Sequence, residues 1–183
     1  LSNIIDNQTN GIFIPYYVDG KLINVISRRL IIGPLKYTLA IPDVTIFGDI
    51  ADEVWIVEGF FDYIALSKHK SNVLTVSSAS WSTLQLYKLI SNNVSKINYV
   101  ADYDYTGLRT AQLLKRFFGL YNIEFRCYIS NSCKDMSEHF HEHSLTVDDI
   151  EETIPTNELL DELKEDTDIQ YSNFIEYLKH RKI

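Results

Sequence analysis

The sequence predicts an α/β fold: a largely parallel sheet flanked by helices, with a small β-rich element before it and a helical tail after it. Three observations lead to this prediction. Short apolar runs alternate with longer helical patterns between residues 51 and 130, a hairpin pattern precedes them, and helical spacing follows them. The predicted divisions are a β-rich element at 1–50, the sheet domain at 51–145 and the helical tail at 146–183.

The first element is predicted to be a β-hairpin. Two apolar stretches, Phe13–Val18 and Lys21–Ile32, flank the dipeptide Asp19-Gly20. This dipeptide is typical of a two-residue hairpin turn, because glycine tolerates the positive φ that such turns require. Pro34 then ends the second strand, since proline has no N–H to donate.

The central domain alternates strands and helices. Its predicted strands are Val54–Val57, Val73–Val76, Ile97–Val100 and Ile123–Ile129. Its predicted helices are 60–70, 82–91 with Ser82 as its N-cap, and 106–118. The connections between them are short, as expected of βαβ units.

The tail is predicted to hold two helices. Leu159, Leu160 and Leu163 indicate a short one. A second, over 168–181, carries Tyr171, Phe174, Ile175 and Leu178 at the i, i+3, i+4, i+7 spacing of an amphipathic face. That face suits packing on the sheet domain, and it would also suit docking to a partner.

Charge and composition exclude several classes of protein. The net charge is −8, but residues 148–168 hold ten Asp and Glu against Lys164 alone, so the rest of the chain is near +1. We therefore expect weak, salt-sensitive binding to nucleic acid. Two cysteines exclude a disulfide framework and a four-cysteine zinc site. Without an apolar run of membrane-spanning length or a signal-peptide pattern, we expect an intracellular, cytoplasmic protein with no membrane association.

Acidic side chains follow several of the predicted strands. They are Glu58, Asp62, Asp102, Asp104 and Asp135. Because parallel strands end at one edge of a sheet, these side chains are expected to converge there. Gathered carboxylates repel one another, so the cluster predicts a divalent cation. Asp102 and Asp104, two residues apart, would point to the same side of an extended backbone.

With these motifs in order, residues 52–145 resemble the TOPRIM domain family, and within it the DNA primases. The segment Val57–Asp62 is similar to the Glu-Gly-x-x-Asp helix start of primases, and Cys133–Glu138 to the Lys-Asp-x-x-Glu segment of phage primase-helicases. Primases also precede this domain with a β-rich segment carrying an Arg and then a Lys-Tyr pair. Arg28 and Lys36-Tyr37 match that pattern, with Arg29 as the alternative to Arg28, since neighbouring strand residues face opposite ways.

The resemblance implies a role for each of these residues. Glu58 would be a general base or metal-coupled acid, Asp102 and Asp104 the principal ligands of Mg²⁺ or Mn²⁺, and Asp62 and Asp135 supporting carboxylates. Arg28, Lys36 and Lys134 would contact nucleotide phosphates or template.

The implied activity is metal-dependent synthesis of RNA primers from nucleoside triphosphates on single-stranded DNA, with a replicative helicase as a candidate partner. Two rival functions stay open. A TOPRIM nuclease would use the same carboxylates to activate water instead of a sugar hydroxyl. A non-catalytic replication module would keep the fold and dock a helicase or polymerase through 168–181.

Overall fold

A computed structural model of the chain describes residues 4–6, 11–18, 20–29, 37–39, 46–76, 81–130, 133, 136 and 150–164. These residues contain two sheets. The first is antiparallel, in the order β1-β2-β3-β4. Its strands are β1 (Ile4–Asp6), β2 (Gly11–Val18), β3 (Lys21–Arg29) and β4 (Tyr37–Leu39). Val18 pairs with Lys21, and Gly20 has a φ of +75°, so the predicted two-residue hairpin turn is confirmed.

The second sheet has five strands in the order β6-β5-β7-β8-β9. They are β5 (Glu53–Val57), β6 (Val73–Thr75), β7 (Lys96–Val100), β8 (Glu124–Ser130) and β9 (Ile150–Thr153). The first four run parallel, and β5 and β7 lie side by side near the middle. This confirms the largely parallel sheet. A parallel sheet is stable when helices cover its faces, and the long apolar runs in these strands reflect that burial.

Helices connect the parallel strands. They are α1 (Phe60–Leu66), α2 (Thr83–Ser91) and α3 (Tyr105–Gly119). α2 begins with a capping box, in which Ser82 and Gln85 each accept from the other's backbone N–H, so the predicted Ser82 cap is confirmed. α1 ends at Leu66, earlier than the predicted 70, and the chain passes through turns before β6.

The predicted helical tail over 146–183 is wrong in part, because its described residues begin with a strand. Ile150–Thr153 forms β9, which pairs antiparallel with β8 and extends the sheet at its edge. The short helix indicated by the leucines is present over residues 157–164, and the Thr156 hydroxyl accepts from the Leu159 N–H at 3.2 Å at its start. The predicted helix over 168–181 lies outside the described residues.

Apolar side chains join the two sheets. Ile14 and Ile26 from the first sheet pack with Phe47 and with Phe60 of α1 in one buried cluster. Phe47 is fully buried, its backbone bridges to Thr75, and its ring centroid lies 4.6 Å from that of Tyr16. The first sheet is therefore attached directly beside the start of α1. No helix among the described residues is long and apolar enough to span a membrane.

Replacing Phe47 by Ala should lower the free energy of unfolding by about 3 to 5 kcal/mol, because it leaves a cavity between the two sheets. Leu84→Ala is the control, since Leu84 is 63% exposed on α2 and its loss should cost within about 0.5 kcal/mol. Urea denaturation followed by circular dichroism measures both. Equal midpoints for the two variants would contradict the assigned contact.

Candidate active site

The carboxyl ends of β5 and β7 bring two of the predicted acidic motifs together. Val57 pairs with Val100, so Glu58 and the Ala101-Asp102 dipeptide leave the sheet side by side. The short turn after β5 leads into α1, and the turn after β7 leads into α3. The site therefore sits where ligands bind in open parallel sheets, at the edge where the strands end.

Glu58 is buried, with 8% of its surface exposed. Its Oε1 accepts from the Tyr99 hydroxyl at 3.1 Å and from the Asp102 N–H at 3.3 Å. Its backbone carbonyl accepts from the Thr75 hydroxyl at 3.1 Å. Burial raises the pKa of Glu58 to about 7, and the charges of Asp104 and Asp62 add to the rise. The hydrogen bonds from Tyr99 and Asp102 act in the opposite direction. At neutral pH this carboxylate can both hold and release a proton.

Asp62 lies in the first turn of α1 and is also buried, with 7% exposure. A Cβ at Gly59 would come within 2.2 Å of its Oδ2, so the carboxylate reaches back over the start of the helix. The dipole at a helix N-terminus stabilises such a charge. The predicted placement of Asp62 about one turn beyond Glu58 agrees with this geometry.

Asp102 and Asp104 are separated by a turn, not by extended backbone as predicted. The Asp104 N–H donates to the Asp102 carbonyl at 2.8 Å. Asp104 is the N-cap of α3, and its Oδ1 accepts from the Gly107 N–H at 2.9 Å. One oxygen of Asp104 is thus already hydrogen-bonded, because an N-cap side chain accepts from a backbone N–H that has no partner within the helix.

The other predicted site residues are only partly described. Arg28 and Arg29 both lie within β3, where Arg28 pairs with Ile12 and Tyr37. Lys36, Lys134 and Asp135 lie outside the described residues. Their predicted roles stay predictions.

The donor set suits a hard divalent cation, since Glu58, Asp62, Asp102 and Asp104 offer only carboxylate oxygens. Within the described ranges, no three His, Cys, Asp or Glu side chains form a group that could hold a metal by themselves. Glu58 and Asp102 lie one after the end of each of two adjacent strands.

Three residues near this edge were not among the predicted site residues. Tyr99 and Thr75 donate to Glu58, and Gly107 lies against it, since a Cβ there would be 2.8 Å from Glu58 Oε1 and 2.4 Å from the Asp102 carbonyl. A tyrosine inside an apolar strand needs a partner for its hydroxyl, but the sequence did not identify Glu58 as that partner, because the two residues meet only when β5 and β7 pair.

Residues 55–140 match the family model described as Toprim-like. We refer to this part of the chain, which is similar to that family, as the Toprim-like domain. The observed order of strands, helices and acidic motifs agrees with that assignment and with the resemblance described from sequence. The comparison with curated protein sequences gave no match.

Solved structures of primases are similar to about three quarters of the chain. A DNA primase domain from Pseudomonas aeruginosa matches with a TM-score of 0.61 and 18% identity, covering 77% of this chain and 52% of that one. The RNA polymerase domain of Mycobacterium tuberculosis primase DnaG matches with a TM-score of 0.59 and 18% identity, covering 73% and 51%. A DnaG primase catalytic domain bound to ssDNA gives 0.57 and 15%, covering 77% and 54%.

These likenesses establish the fold, a Toprim-like domain with an antiparallel sheet before it. The chain spans about half the length of the solved structures it matches, as the shares of 51% to 54% show. The predicted fold class is confirmed.

Replacing Glu58 by Gln should stabilise the metal-free protein at pH 8. Because the pKa of Glu58 is raised from 4.5 to about 7, the folded protein keeps a proton between these values that the unfolded chain has released. Raising the pH across this interval therefore lowers the free energy of unfolding, by up to about 3 kcal/mol. Glu58→Gln removes this loss, so its advantage should be large at pH 8 and small at pH 5. Urea titrations with chelator at both pH values test this, and a pH-independent difference would contradict it.

Replacing Gly107 by Ala should destabilise the protein, because the added Cβ would meet the Asp102 carbonyl at 2.4 Å and Glu58 Oε1 at 2.8 Å. We expect a loss of about 1 to 3 kcal/mol, as in other overpacked sites. Gly119→Ala, at the other end of the same helix, meets nothing within 4 Å and should be neutral or stabilising. Thermal denaturation compares the pair, and equal melting temperatures would show that the close contact at Gly107 is absent.

Proposed function

We propose that the chain is a primase-type nucleotidyltransferase core that joins ribonucleotides into primers on single-stranded DNA in replication. The observation that carries this proposal is the extent of the likeness to primase domains. A match over 77% of 183 residues is about 141 residues, whereas residues 55–183 number only 129. The likeness therefore includes part of residues 1–54, before the Toprim-like domain. The shared sheet alone would not favour a primase over a nuclease, but the solved structures that extend the likeness into residues 1–54 are primases.

The antiparallel sheet supports a role for Arg28. β3 pairs with β2 in unbroken register from Asn24 to Arg29, so positions 24, 26 and 28 belong to one face of the strand. Ile26 on that face packs with Phe47 and Phe60, toward the Toprim-like domain. Position 28 is therefore favoured over position 29 for contacting phosphates or template near the acidic site. Lys36 is proposed to share this role.

The segment carrying Lys134 and Asp135 lies between two anchored residues. The Cys133 N–H donates to the Ser130 hydroxyl at 3.2 Å at the end of β8. Met136 is buried in the same cluster as Val57 and Val100, which precede the Glu58 and Asp102 motifs. These anchors support the proposal that Asp135 joins the metal ligands and that Lys134 contacts the nucleotide.

The proposed reaction uses Glu58 as the base. The 3′-hydroxyl of the growing primer attacks the α-phosphate of a nucleoside triphosphate, the new O–P bond forms as the bond to pyrophosphate breaks, and the hydroxyl proton passes to Glu58. The pKa of Glu58 is about 7 in the metal-free protein, and a bound cation would lower it, so that the carboxylate is ionised and able to accept the proton at neutral pH. Bound Mg²⁺ or Mn²⁺ would neutralise charge developing on the phosphoryl oxygens. The site residues would hold the cation through Glu58 and Asp102, with Asp104 ordering the loop as a cap.

The proposed partners follow from this activity: a single-stranded DNA template, nucleoside triphosphates and a replicative helicase. One matched primase domain was solved with ssDNA bound. An intracellular location with replicating DNA is part of the same proposal.

Asp102→Asn should reduce Mg²⁺- or Mn²⁺-dependent primer synthesis at least about a hundredfold, since several kcal/mol of charge stabilisation depends on the bound cation. The assay uses the purified chain, mixed-sequence single-stranded DNA and labelled ribonucleotides. Asp161→Asn, an equal charge change at an exposed position of the helix over 157–164, is the matched control and should keep full activity.

Two results would overturn the proposal. Full primer synthesis by Asp102→Asn would remove the acidic site from the mechanism. Metal-dependent loss of the DNA without added nucleotides, and without any primer product, would identify a nuclease.

A further inference from the structure

Both described hydrogen bonds to the Glu58 carboxylate end on the same oxygen. The Tyr99 hydroxyl donates to Oε1 at 3.1 Å, and the Asp102 backbone N–H donates to Oε1 at 3.3 Å. The position that a Cβ would occupy at Gly107 is 2.8 Å from this oxygen as well. Oε1 therefore accepts from two donors and lies close to Gly107, which leaves no room for a side chain there.

The position of the Tyr99 hydroxyl is fixed by the core of the sheet. Tyr99 is fully buried in β7, where it pairs with Ile56 of β5 and Cys127 of β8. Its ring stacks on Phe125 at a centroid distance of 5.9 Å and an angle of 27°. A side chain packed this way has no alternative rotamer without opening the core. The Tyr99 hydroxyl is thus a hydrogen-bond donor in a fixed position, whereas a donor on a surface loop could move.

We propose that Tyr99 is a positioning residue that holds Glu58 by Oε1 and thereby presents Oε2 to the metal ion or to the attacking hydroxyl. This inference rests on the proposed function, because it assigns the working oxygen of the proposed base. Ligand carboxylates are commonly oriented by such outer hydrogen bonds, and losing one typically weakens metal affinity 10- to 100-fold. Without Tyr99, the carboxylate can rotate and share both oxygens between the protein and the ligand.

The decisive variant is Tyr99→Phe, which removes one oxygen and keeps the ring that stacks on Phe125. Mn²⁺ affinity is measured by electron paramagnetic resonance of free Mn²⁺ at pH 8.5, above the pKa of Glu58 of about 7, which limits competition by protons. We expect binding at least about tenfold weaker than in the wild type. Tyr128→Phe removes a hydroxyl from the neighbouring strand β8 and should bind Mn²⁺ as the wild type does.

Leu89→Ala separates positioning from stability. Leu89 is fully buried on α2, so this variant should lower the melting temperature, but it leaves the Tyr99 hydroxyl and the stacked Phe125 ring, and Mn²⁺ affinity should stay within about twofold of the wild type. If Leu89→Ala weakens Mn²⁺ binding as much as Tyr99→Phe does, the role of Tyr99 is structural and the inference is overturned.

The outcomes also separate this inference from the proposed function. Mn²⁺ binding by the wild type and equally tight binding by Tyr99→Phe would overturn the positioning role alone. A wild type that binds no Mn²⁺ and makes no primers would overturn both the positioning role and the proposed function. Weakened Mn²⁺ binding with a normal melting temperature in Tyr99→Phe supports the role of Tyr99 independently of any measurement of activity.

Discussion

The burial of one carboxylate, that of Glu58, is the constraint on which the arrangement of the sheet edge depends. A charge taken out of water must be compensated by donors or by a cation. Two donors answer this need, the Tyr99 hydroxyl and the Asp102 N–H, and Thr75 holds the Glu58 backbone carbonyl beside them. Gly107 at the start of α3 leaves room for the carboxylate. The Glu58 side chain thus connects the end of β5 with β7 and the loop that follows it, while its backbone carbonyl connects β5 with β6.

The acidic loop after β7 has two separate tasks. Asp104 ends the loop by capping α3, while Asp102 contributes its backbone N–H to Glu58. A helix that begins with a side-chain cap starts at a defined residue, and here that places Gly107 beside Glu58. Two aspartates that look equivalent in the sequence therefore have different structural roles, Asp104 as a helix cap and Asp102 as a backbone donor to Glu58.

Sequence patterns predicted the parts of the fold that periodicity controls. The four parallel strands, the three connecting helices and the Asp19-Gly20 hairpin all follow from local spacing and turn chemistry, and all are present. The edge strand β9 was missed because Ile150-Glu151-Glu152-Thr153 has little apolar content and depends on pairing with β8. The turn between Asp102 and Asp104 was missed because strand periodicity was extended through Asp104, whereas the chain turns there and Asp104 caps α3. The convergence of Glu58 and Asp102 was predictable because parallel strands end at one edge, whereas the contact with Tyr99 required the strand pairing itself.

A buried carboxylate with a pKa of about 7 is a costly feature for a fold to keep. Above that pH the ionised group lowers the free energy of unfolding by up to about 3 kcal/mol, a sizeable share of the stability of a typical domain. A neutral side chain such as glutamine could accept the same two hydrogen bonds without this cost. The ionised carboxylate therefore adds no stability to the metal-free fold. A cation bound at Oε2 would offset the cost by restoring an opposite charge, and it would do so only when bound, which couples the stability of the sheet edge to occupancy of the site.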